Sequence, residues 1–541
     1  MKGGELIAGA ARSASYQMML QVSLRILTFV LNAFIIRHLS KDMLGVANVR
    51  LALLYSTILF LSREGFRRAC LNKGPGTSWT QVVNLVWCVI PVTFVWSVLF
   101  AFVWLYLLDQ PDHEAFPQYT TTVICLCVII IIELSTEPLV VISQSFLFVR
   151  LKVILDGLYN LVRCVCIICM VLVFPDHGLH IFACAQITCV VVYVVAFYGY
   201  FYHYLKYANK KTSAFPFASF RSLFPQLKEG QPVFDSSLVK LVWSFSKQSF
   251  LKQILTEGER YVMTVFDILS FADQGVYDVV NNLGSITARF LFLPIEDSGY
   301  LFFSKALQRS QTALQQKKES LELASRMLAF LLRMTLLIGI TVLVFGYSYS
   351  YLALDIYGGN MLSSGQGPTL LRWHAMYVAI IAINGVTECF VFAVMSKQEV
   401  DRYNSKMVVF SALFLITSWY FTKIFGAVGF TLANSLNMAA RIIHSIYFIN
   451  NYYKGTSFRP LQSLVPSVGI TAVLLLSLVM TSVSEVMFCC DKGFSGKLFH
   501  IGVGGMCLLA ELAVIYFTEN EMIGFIREQF TQKHAVTKKK D

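Results

Sequence analysis

Four long apolar segments of the chain carry ionisable and amide side chains at helical spacing. In the first segment, Gln21, Arg25 and Asn32 fall on one helix face, because successive residues are separated by about 100°. Each stripe has one basic residue near the middle of its segment: Arg25, Lys252, Arg289 and Arg441. Cations gathered in a nonpolar environment bind anions, and the arginine fork fits phosphate well. The pattern therefore predicts a binding site for a phosphate-bearing molecule.

The predicted substrate-binding residues are Arg25, Lys252, Glu259, Arg289, Arg441, Arg37 and Arg63. The basic residues of the stripes are the expected phosphate ligands, and Glu259 balances charge or orients a cation. Arg37 and Arg63 lie at segment ends, where they guide entry or extend to the membrane interface as long basic side chains ordinarily do. For any single residue, a bond that only holds a helix bundle together is the competing interpretation. For Arg289 the partner in that case is Glu296.

No catalytic or metal site is predicted. The sequence contains no HExxH zinc string, no GxSxG nucleophile elbow and no GxxxxGK[ST] phosphate loop. Most of the thirteen cysteines lie inside apolar segments, where cysteine acts as a small hydrophobe. We therefore expect no enzyme activity, no cofactor and no ATP hydrolysis within this chain.

The composition requires that lipid cover much of the chain. Of 541 residues, 56% are hydrophobic and 14% are charged, whereas a soluble domain has roughly 25% charged residues. Backbone groups in lipid must be paired internally, and the apolar runs are too long for the strands of a transmembrane barrel. The sequence therefore predicts an all-α polytopic membrane protein. The net charge of +12 does not indicate a nucleic-acid partner, because the basic residues do not cluster on a soluble module.

About fourteen membrane-spanning helices are predicted from runs of roughly 20 apolar residues. Their approximate bounds are 16–36, 44–62, 82–107, 119–141, 152–174, 178–205, 238–265, 275–303, 326–352, 373–395, 406–425, 428–450, 464–483 and 497–518. The polar connection 206–237 is the predicted cytosolic boundary between an N-terminal lobe, 1–205, and a C-terminal lobe, 238–450. Residues 451–541 add two helices and a basic tail. Stripes on the first helices of both lobes predict a hydrated central cavity.

Lysine and arginine are concentrated in every second loop. By the positive-inside rule, the loops around Lys210 and Lys317 are cytosolic, and those around Asp112 and Asp491 lie on the opposite side. The alternation also supports the number of spans, because one missed span would invert every later loop. Both termini are therefore predicted to be cytosolic.

A short internal echo relates the two predicted lobes. Residues 45–49 read GVANV at the start of the second span, and residues 275–279 read GVYDV at the start of the eighth. Six spans separate the two segments, so halves related in this way share one orientation, as in parallel repeats. The match is short, and coincidence is the alternative explanation.

Five strings resemble those of a known family. They are WSFSKQSFLKQILTEGERY at 243–261, DQGVY at 273–277, LDIYGG at 354–359, NGVTEC at 384–389 and EVDRYN at 399–404. Over essentially its whole length the chain resembles the eukaryotic endoplasmic-reticulum family implicated in translocating the dolichol-linked oligosaccharide precursor of N-glycosylation. That family is similar to the multidrug and polysaccharide-lipid exporter superfamily, which includes bacterial flippases.

The resemblance implies two pseudo-symmetric six-helix lobes around a central cavity, with two extra C-terminal helices. It implies a multi-pass protein of the endoplasmic-reticulum membrane. The implied substrate is dolichol pyrophosphate carrying five mannoses and two N-acetylglucosamines, moved without ATP from the cytosolic to the lumenal leaflet. Membrane lipids and other proteins of the N-glycosylation pathway are the further implied partners.

Two other functions are compatible with the fold class. A cation-coupled drug exporter of the same superfamily needs an acidic cavity, whereas the first span offers Arg25 and no acid. A non-transporting scaffold for glycosylation enzymes needs no cavity, so substitutions in the stripes should leave it unaffected. The stripes favour translocation over both alternatives.

Overall fold

A computed structural model describes residues 23–519 and 524, apart from 25, 73–76, 147, 175–177, 208–214, 218, 228–231, 310 and 491–492. Within these ranges the chain is built from helices and contains no strand. Contacts divide it into two compact units, Met1–Gly275 and Val276–Asp541. The all-α class predicted from the sequence is therefore confirmed.

The first unit holds the helices up to Phe266 and the start of the next. In the described ranges they are α1 (Ile26–Arg37), α2 (Lys41–Leu71), α3 (Trp79–Leu107), α4 (Tyr119–Ser145), α5 (Arg150–Val173), α6 (Leu179–Tyr207), α7 (Ser236–Thr256) and α8 (Gly258–Phe266). Helix α9 (Phe271–Gly284) begins in the first unit and continues into the second.

The second unit holds the remaining helices. They are α10 (Leu293–Ala306), α11 (Lys318–Gly358), α12 (Gly367–Val394), α13 (Lys397–Phe425), α14 (Val428–Tyr452), α15 (Val468–Phe488) and α16 (Gly493–Thr518). Ser396 begins α13 in a capping box with Glu399, and Gly426, with φ of 61°, follows its end.

Ten of the described helices are long and apolar enough to cross a membrane: α2 to α6, α11 to α13, α15 and α16. The spanning segment of α15 begins earlier than the helix itself, at Pro460. The other predicted spans, the first, seventh, eighth and twelfth, fall on α1, α7 with α8, α9 with α10, and α14. These are the four segments that carry the polar stripes, and each polar residue lowers the mean hydropathy of its helix. The multi-pass membrane architecture is confirmed, and the count of fourteen stays a prediction.

Two of the striped segments are interrupted helices. The predicted span 238–265 consists of α7 and α8, which meet at Glu257. The predicted span 275–303 passes through a π-helical turn, Ala288–Phe292, and Pro294 stands in the first turn of α10, where its missing N–H is not needed. Turns of this wider kind often mark functional positions, and this one contains Arg289.

The connection between the predicted lobes is docked on the first unit. The Asn84 carboxamide of α3 donates to the Gln226 carbonyl and accepts from the Gln226 amide, both at 2.9 Å. The Trp87 indole donates to the Leu223 carbonyl at 3.0 Å. The described part of this connection and α7 thus group with the helices that precede them. The lobe boundary at 206–237 stays a prediction.

The two echoed segments meet where α2 and α9 begin. A Cβ placed on Gly45 would lie 1.9 Å from the carbonyl oxygen of Phe271. A Cβ on Gly275 would lie 2.5 Å from the carbonyl oxygen of Lys41 and 2.7 Å from the nitrogen of Gly45. Backbone atoms fill the space that a side chain needs, so both positions require glycine.

Candidate functional site

Six of the seven predicted site residues lie in the described ranges, and Arg25 lies outside them. The first unit contains Arg37, Arg63, Lys252 and Glu259, and the second contains Arg289 and Arg441. Each unit therefore has its own set of candidate charges.

Arg63 of α2 makes no hydrogen bond or ion pair in the part of the chain that the structure describes, and its Nε is buried without a partner. Glu133 and Asp156 lie within range of its charge. One turn further along α2, Arg67 is fully engaged, because its Nε and Nη2 each bond a carboxylate oxygen of Glu137 at 2.6 Å. Arg63 is therefore the available guanidinium at this end of α2.

Lys252 is exposed on α7, with its ammonium 5.6 Å from the centre of the Phe60 ring and no acidic partner among the described residues. Close approach of α7 to α2 depends on Gly65, where a Cβ would lie 2.2 Å from the Ser246 hydroxyl. Phe60 and Arg63 are three residues apart and share one side of α2. Arg63 of α2 and Lys252 of α7 therefore face the same side of α2.

The other two predicted charges of the first unit are already engaged. Arg37 is exposed at the end of α1, Glu259 is half-buried in the first turn of α8, and both interact with other groups. Their proposed roles in entry and charge balance stay predictions. Within the described ranges, no three His, Cys, Asp or Glu side chains are arranged to hold a metal.

A hydroxyl network connects four helices close to Arg63. Gln186 of α6 donates to Tyr159 of α5, the hydroxyls of Tyr159 and Tyr55 are 3.1 Å apart, and Tyr55 of α2 donates to Glu133 of α4. The polar stripes of the sequence do not include these residues. The sequence does give one indication of this network: Glu133 and Glu137 lie within one apolar span, and acids in a span rarely lack polar partners.

Helix α5 carries a fifth polar stripe, which the sequence analysis also overlooked. Its members lie at intervals of four, four and three residues: Lys152, Asp156, Asn160 and Arg163. Arg163 is half-buried near the middle of α5 and makes no hydrogen bond or ion pair with the described residues. The spacing rule that found the other stripes identifies this one equally well.

Arg441 of α14 is neutralised in the second unit. Its Nε and Nη2 bond the two carboxylate oxygens of Glu388 on α12 at 2.8 and 2.7 Å. Glu388 also accepts from the Tyr403 hydroxyl and, at 3.3 Å, from the Asn384 amide. A bidentate pair uses the whole arginine fork. This ion pair connects α14 to α12. The phosphate-binding role of Arg441 stays a prediction.

Arg289 is exposed and has no acidic partner among the described residues. Its Nη2 donates to the Asn282 carbonyl at 2.5 Å, and its Nε to the Ser285 carbonyl at 3.4 Å. Glu296, the competing partner, is packed against Gly385 of α12, where a Cβ would lie 1.6 Å from its Oε1. Neutral carbonyls thus hold Arg289, and its positive charge is not cancelled by a carboxylate.

Replacing Arg441 by leucine is expected to lower the yield of folded protein, because it strands the Glu388 carboxylate. The pair is partly buried, with 25% of the Arg441 side chain and 12% of the Glu388 side chain exposed. Breaking it therefore costs less than the roughly 3–5 kcal/mol of a fully buried pair, and replacing both partners by apolar residues is less costly still. The double change Arg441→Leu, Glu388→Leu should therefore restore most of the yield. Yield is measured by size-exclusion chromatography in detergent. Arg326→Leu, which breaks only an exposed pair with Glu322, is the control.

The same variants distinguish the two roles of Arg441. If the double variant regains both yield and the activity of the unaltered protein, the pair only holds α12 to α14. Regained yield with lost activity would instead assign Arg441 to the substrate.

Solved structures with this fold are membrane transporters. The chain is similar to an inward-facing multidrug resistance MATE family transporter of the MOP superfamily, with a TM-score of 0.57 and 12% identity, over 81% of this chain and 99% of that one. It is equally similar to the lipid II flippase MurJ in an inward closed conformation, with a TM-score of 0.57 and 12% identity, over 92% and 99% of the two chains. At this identity the likeness shows the fold alone.

Sequence comparison covers nearly the whole chain. Residues 9–529 match the model of the Rft protein family. The chain is 46% identical over 534 residues to the Man(5)GlcNAc(2)-PP-dolichol translocation protein RFT1 of Xenopus tropicalis, covering 99% of each protein. It is 47% identical over 530 residues to the protein of the same name from Mus musculus, covering 98% of each. With a family match of this length and relatives of this identity, the chain belongs to the Rft protein family.

Proposed function

We propose that this protein moves the dolichol-pyrophosphate-linked oligosaccharide of five mannoses and two N-acetylglucosamines from the cytosolic to the lumenal leaflet of the endoplasmic-reticulum membrane. No ATP hydrolysis and no catalytic step on the substrate belong to the proposal. Its relatives in Xenopus tropicalis and Mus musculus are named as Man(5)GlcNAc(2)-PP-dolichol translocation proteins. The structural observation that supports it here is that each unit has cations to which no carboxylate of the described ranges is bonded: Arg63 and Lys252 in the first unit, and Arg289 in the second.

The physical requirement is a replacement for the hydration of the pyrophosphate. An unpaired charge in hydrocarbon costs many kcal/mol, so the phosphates need charged partners along their route while the dolichol chain stays in lipid. Arg67 and Arg441 already have carboxylate partners. The cations that lack one are suited to bind an arriving anion, and a guanidinium does so with two parallel bonds.

Replacing Arg63, Lys252 or Arg289 by leucine is expected to leave the yield near that of the unaltered protein and to slow translocation by about tenfold or more. Hydrogen bonds to charged groups contribute about 1.5–3 kcal/mol, and 1.36 kcal/mol corresponds to tenfold in rate. Arg289→Lys should also be impaired, because an ammonium offers a point charge in place of a fork. Purified protein in vesicles with the authentic glycolipid gives the rate, and cellular N-glycosylation gives a second readout.

Arg326→Leu again serves as the control, since it removes a cation of the same type from an exposed pair. A non-transporting scaffold predicts a different result. All three variants would then support normal glycosylation, and the purified protein would not move the glycolipid.

We place both termini on the cytosolic side, on the basis of the loop charges. A cysteine introduced at Lys317 should react with a membrane-impermeant thiol reagent in sealed microsomes. A cysteine introduced at Asp112 should react only after the membrane is permeabilised. The protein without an added cysteine gives the background. Protection at position 317 would reverse the proposed orientation.

A further inference from the structure

Two polar side chains of α5 have hydrogen-bond acceptors that no described residue fills. Asp156 and Asn160 are both exposed. The Tyr193 hydroxyl of α6 donates to Asp156 Oδ1 at 3.2 Å, and the Asn160 amide donates to the Asp156 backbone carbonyl at 2.9 Å. The second carboxylate oxygen of Asp156 and the side-chain carbonyl of Asn160 have no partner among the described residues. The α5–α6 face thus presents two open acceptors.

This face differs from the structural acids of the same unit. Glu137 is buried and bonded through both oxygens to Arg67. Asp156, in contrast, is exposed within a helix that is long and apolar enough to span the membrane. A carboxylate and a carboxamide facing hydrocarbon would be costly, so ionisable groups in spans face water or a polar ligand. Asp156 and Asn160 are therefore positions at which water or a polar ligand is expected.

The chemistry of the face selects a neutral polyol. A carboxylate repels phosphate and accepts strongly from hydroxyl donors, and the carboxamide carbonyl accepts from a second hydroxyl. The rings of Tyr159 and Tyr193 lie edge to face, 5.6 Å apart, beside these acceptors. Aromatic rings of this kind pack against the C–H faces of sugar rings. Carboxylate, carboxamide and phenol together make a surface suited to carbohydrate.

We infer that the α5–α6 face formed by Asp156, Asn160 and Tyr193 binds sugar residues of the transported glycolipid. The inference rests on the proposed function and names a second part of the same site. Asp156 lies within electrostatic range of Lys152, Arg67 and Arg63, so a phosphate at these cations and a sugar at Asp156 would be neighbours, as they are in a sugar pyrophosphate. The cations bind the anionic group, and this face binds the hydroxyls next to it.

Measuring the binding of two lipids, one with and one without sugar, distinguishes the sugar-binding residues from the phosphate-binding residues. The probes are dolichyl pyrophosphate carrying the glycan and dolichyl pyrophosphate without sugar, each measured with the purified full-length protein in detergent. The variants are Asp156→Leu combined with Asn160→Leu, and the isosteric Asp156→Asn, which keeps the shape of the side chain. Ile154→Ala, on an exposed apolar position of the same helix, is the matched control.

The double variant is expected to bind the glycosylated lipid about tenfold more weakly or worse, because it removes two hydrogen-bond acceptors, one of them charged. It should bind the sugarless lipid as the unaltered protein does. Asp156→Asn should show a smaller loss for the glycosylated lipid alone. Arg63→Leu should weaken the binding of both lipids.

Equal loss for both lipids in the double variant, or no loss for either, overturns the sugar-binding inference. With either result, the proposed function would still be supported if Arg63→Leu weakens the binding of the two lipids. Failure of the unaltered protein to bind or move either lipid would instead overturn the proposed function. If the double variant does not fold, Asp156→Asn decides: it must discriminate between the two lipids, or the inference is wrong.

Discussion

Replacing Arg50 by leucine should abolish most of the folded protein, although this residue belongs to no predicted site. Arg50 lies on α2 with 0% of its surface exposed. One terminal nitrogen donates to the Asp109 carbonyl, and the other donates to the Thr264 carbonyl at 3.4 Å. The Phe271 ring lies 5.2 Å from the guanidinium carbon. One side chain thus joins α2 to the ends of α3 and α8 and to the start of α9.

The charge is stabilised without any carboxylate bonded to it in the described ranges. Thr264 lies in the last turn of α8, and the residue bonded beyond α3 is Asp109. Carbonyls at the C-terminal ends of helices carry partial negative charge, which favours a cation. Removing the guanidinium leaves the carbonyl of the buried Thr264 without its donor, at about 1–3 kcal/mol, and also frees the carbonyl of Asp109, which is an exposed residue. Leucine also leaves part of the space empty. A marginally stable protein does not withstand losses of this size.

Arg50→Lys should be nearly as harmful, because an ammonium on one stem cannot reach both carbonyls in the fork geometry. The measurement is the yield and thermal midpoint of the detergent-solubilised protein. Arg68→Leu is the control on the same helix, where a half-exposed pair with Glu64 is lost and little change is expected. A yield for Arg50→Leu equal to that of the control would contradict the assignment of Arg50 as a structural cation.

Arg50 shows what sequence periodicity could not supply. The pattern placed it near the start of a span, where a basic residue ordinarily extends to the interface. Its actual partners are the backbone carbonyls of Asp109 and Thr264, which are 59 and 214 residues away in the sequence. Every residue has a backbone carbonyl, so residue types cannot show which carbonyls an arginine will meet. Nothing in the local pattern therefore indicated that this arginine is buried.

The helices themselves were predictable, because a span must be apolar for about 20 residues whatever its neighbours are. The predicted span 152–174, for example, corresponds to α5. Periodicity also assigned polar residues to one face of a helix. It could not tell which of two arginines one turn apart, Arg63 and Arg67, meets a carboxylate. That depends on which helix packs alongside, here α4 with Glu137.

The same limit applies to the predicted phosphate ligands of the second unit. Arg289 and Arg441 are equivalent in the sequence pattern, each a central cation in a stripe. In the structure, Arg441 forms a bidentate pair with Glu388, which is 53 residues away in the sequence. Among the described residues, Arg289 instead bonds only to backbone carbonyls a few residues before it, such as that of Asn282. Pairings between distant segments depend on the tertiary arrangement, so the choice among equivalent cations could not be made from one sequence.

Replacing Gly45 or Gly275 by alanine is the second change expected to have a large effect. The added methyl group would lie 1.9 Å from the Phe271 carbonyl oxygen at Gly45, and 2.5 Å from the Lys41 carbonyl oxygen at Gly275. These neighbours are backbone atoms, which cannot rotate away as a side chain can. Overpacking costs about 1–3 kcal/mol even where side chains adjust. We expect either substitution to reach the upper end of that range and to lower the yield of folded protein severely.

Alanine at two other helical glycines should increase the stability of the protein, and these substitutions therefore serve as controls. No atom lies within 4 Å of a Cβ built on Gly199 of α6 or Gly502 of α16. Alanine is favoured over glycine inside a helix by about 0.5–1 kcal/mol, so Gly199→Ala and Gly502→Ala should raise the thermal midpoint slightly. Gly45→Ala and Gly275→Ala should lower it by many degrees in the same assay. Thermal midpoints for these two variants at or above that of the unaltered protein would show that the backbones of α2 and α9 are not in contact at these two glycines.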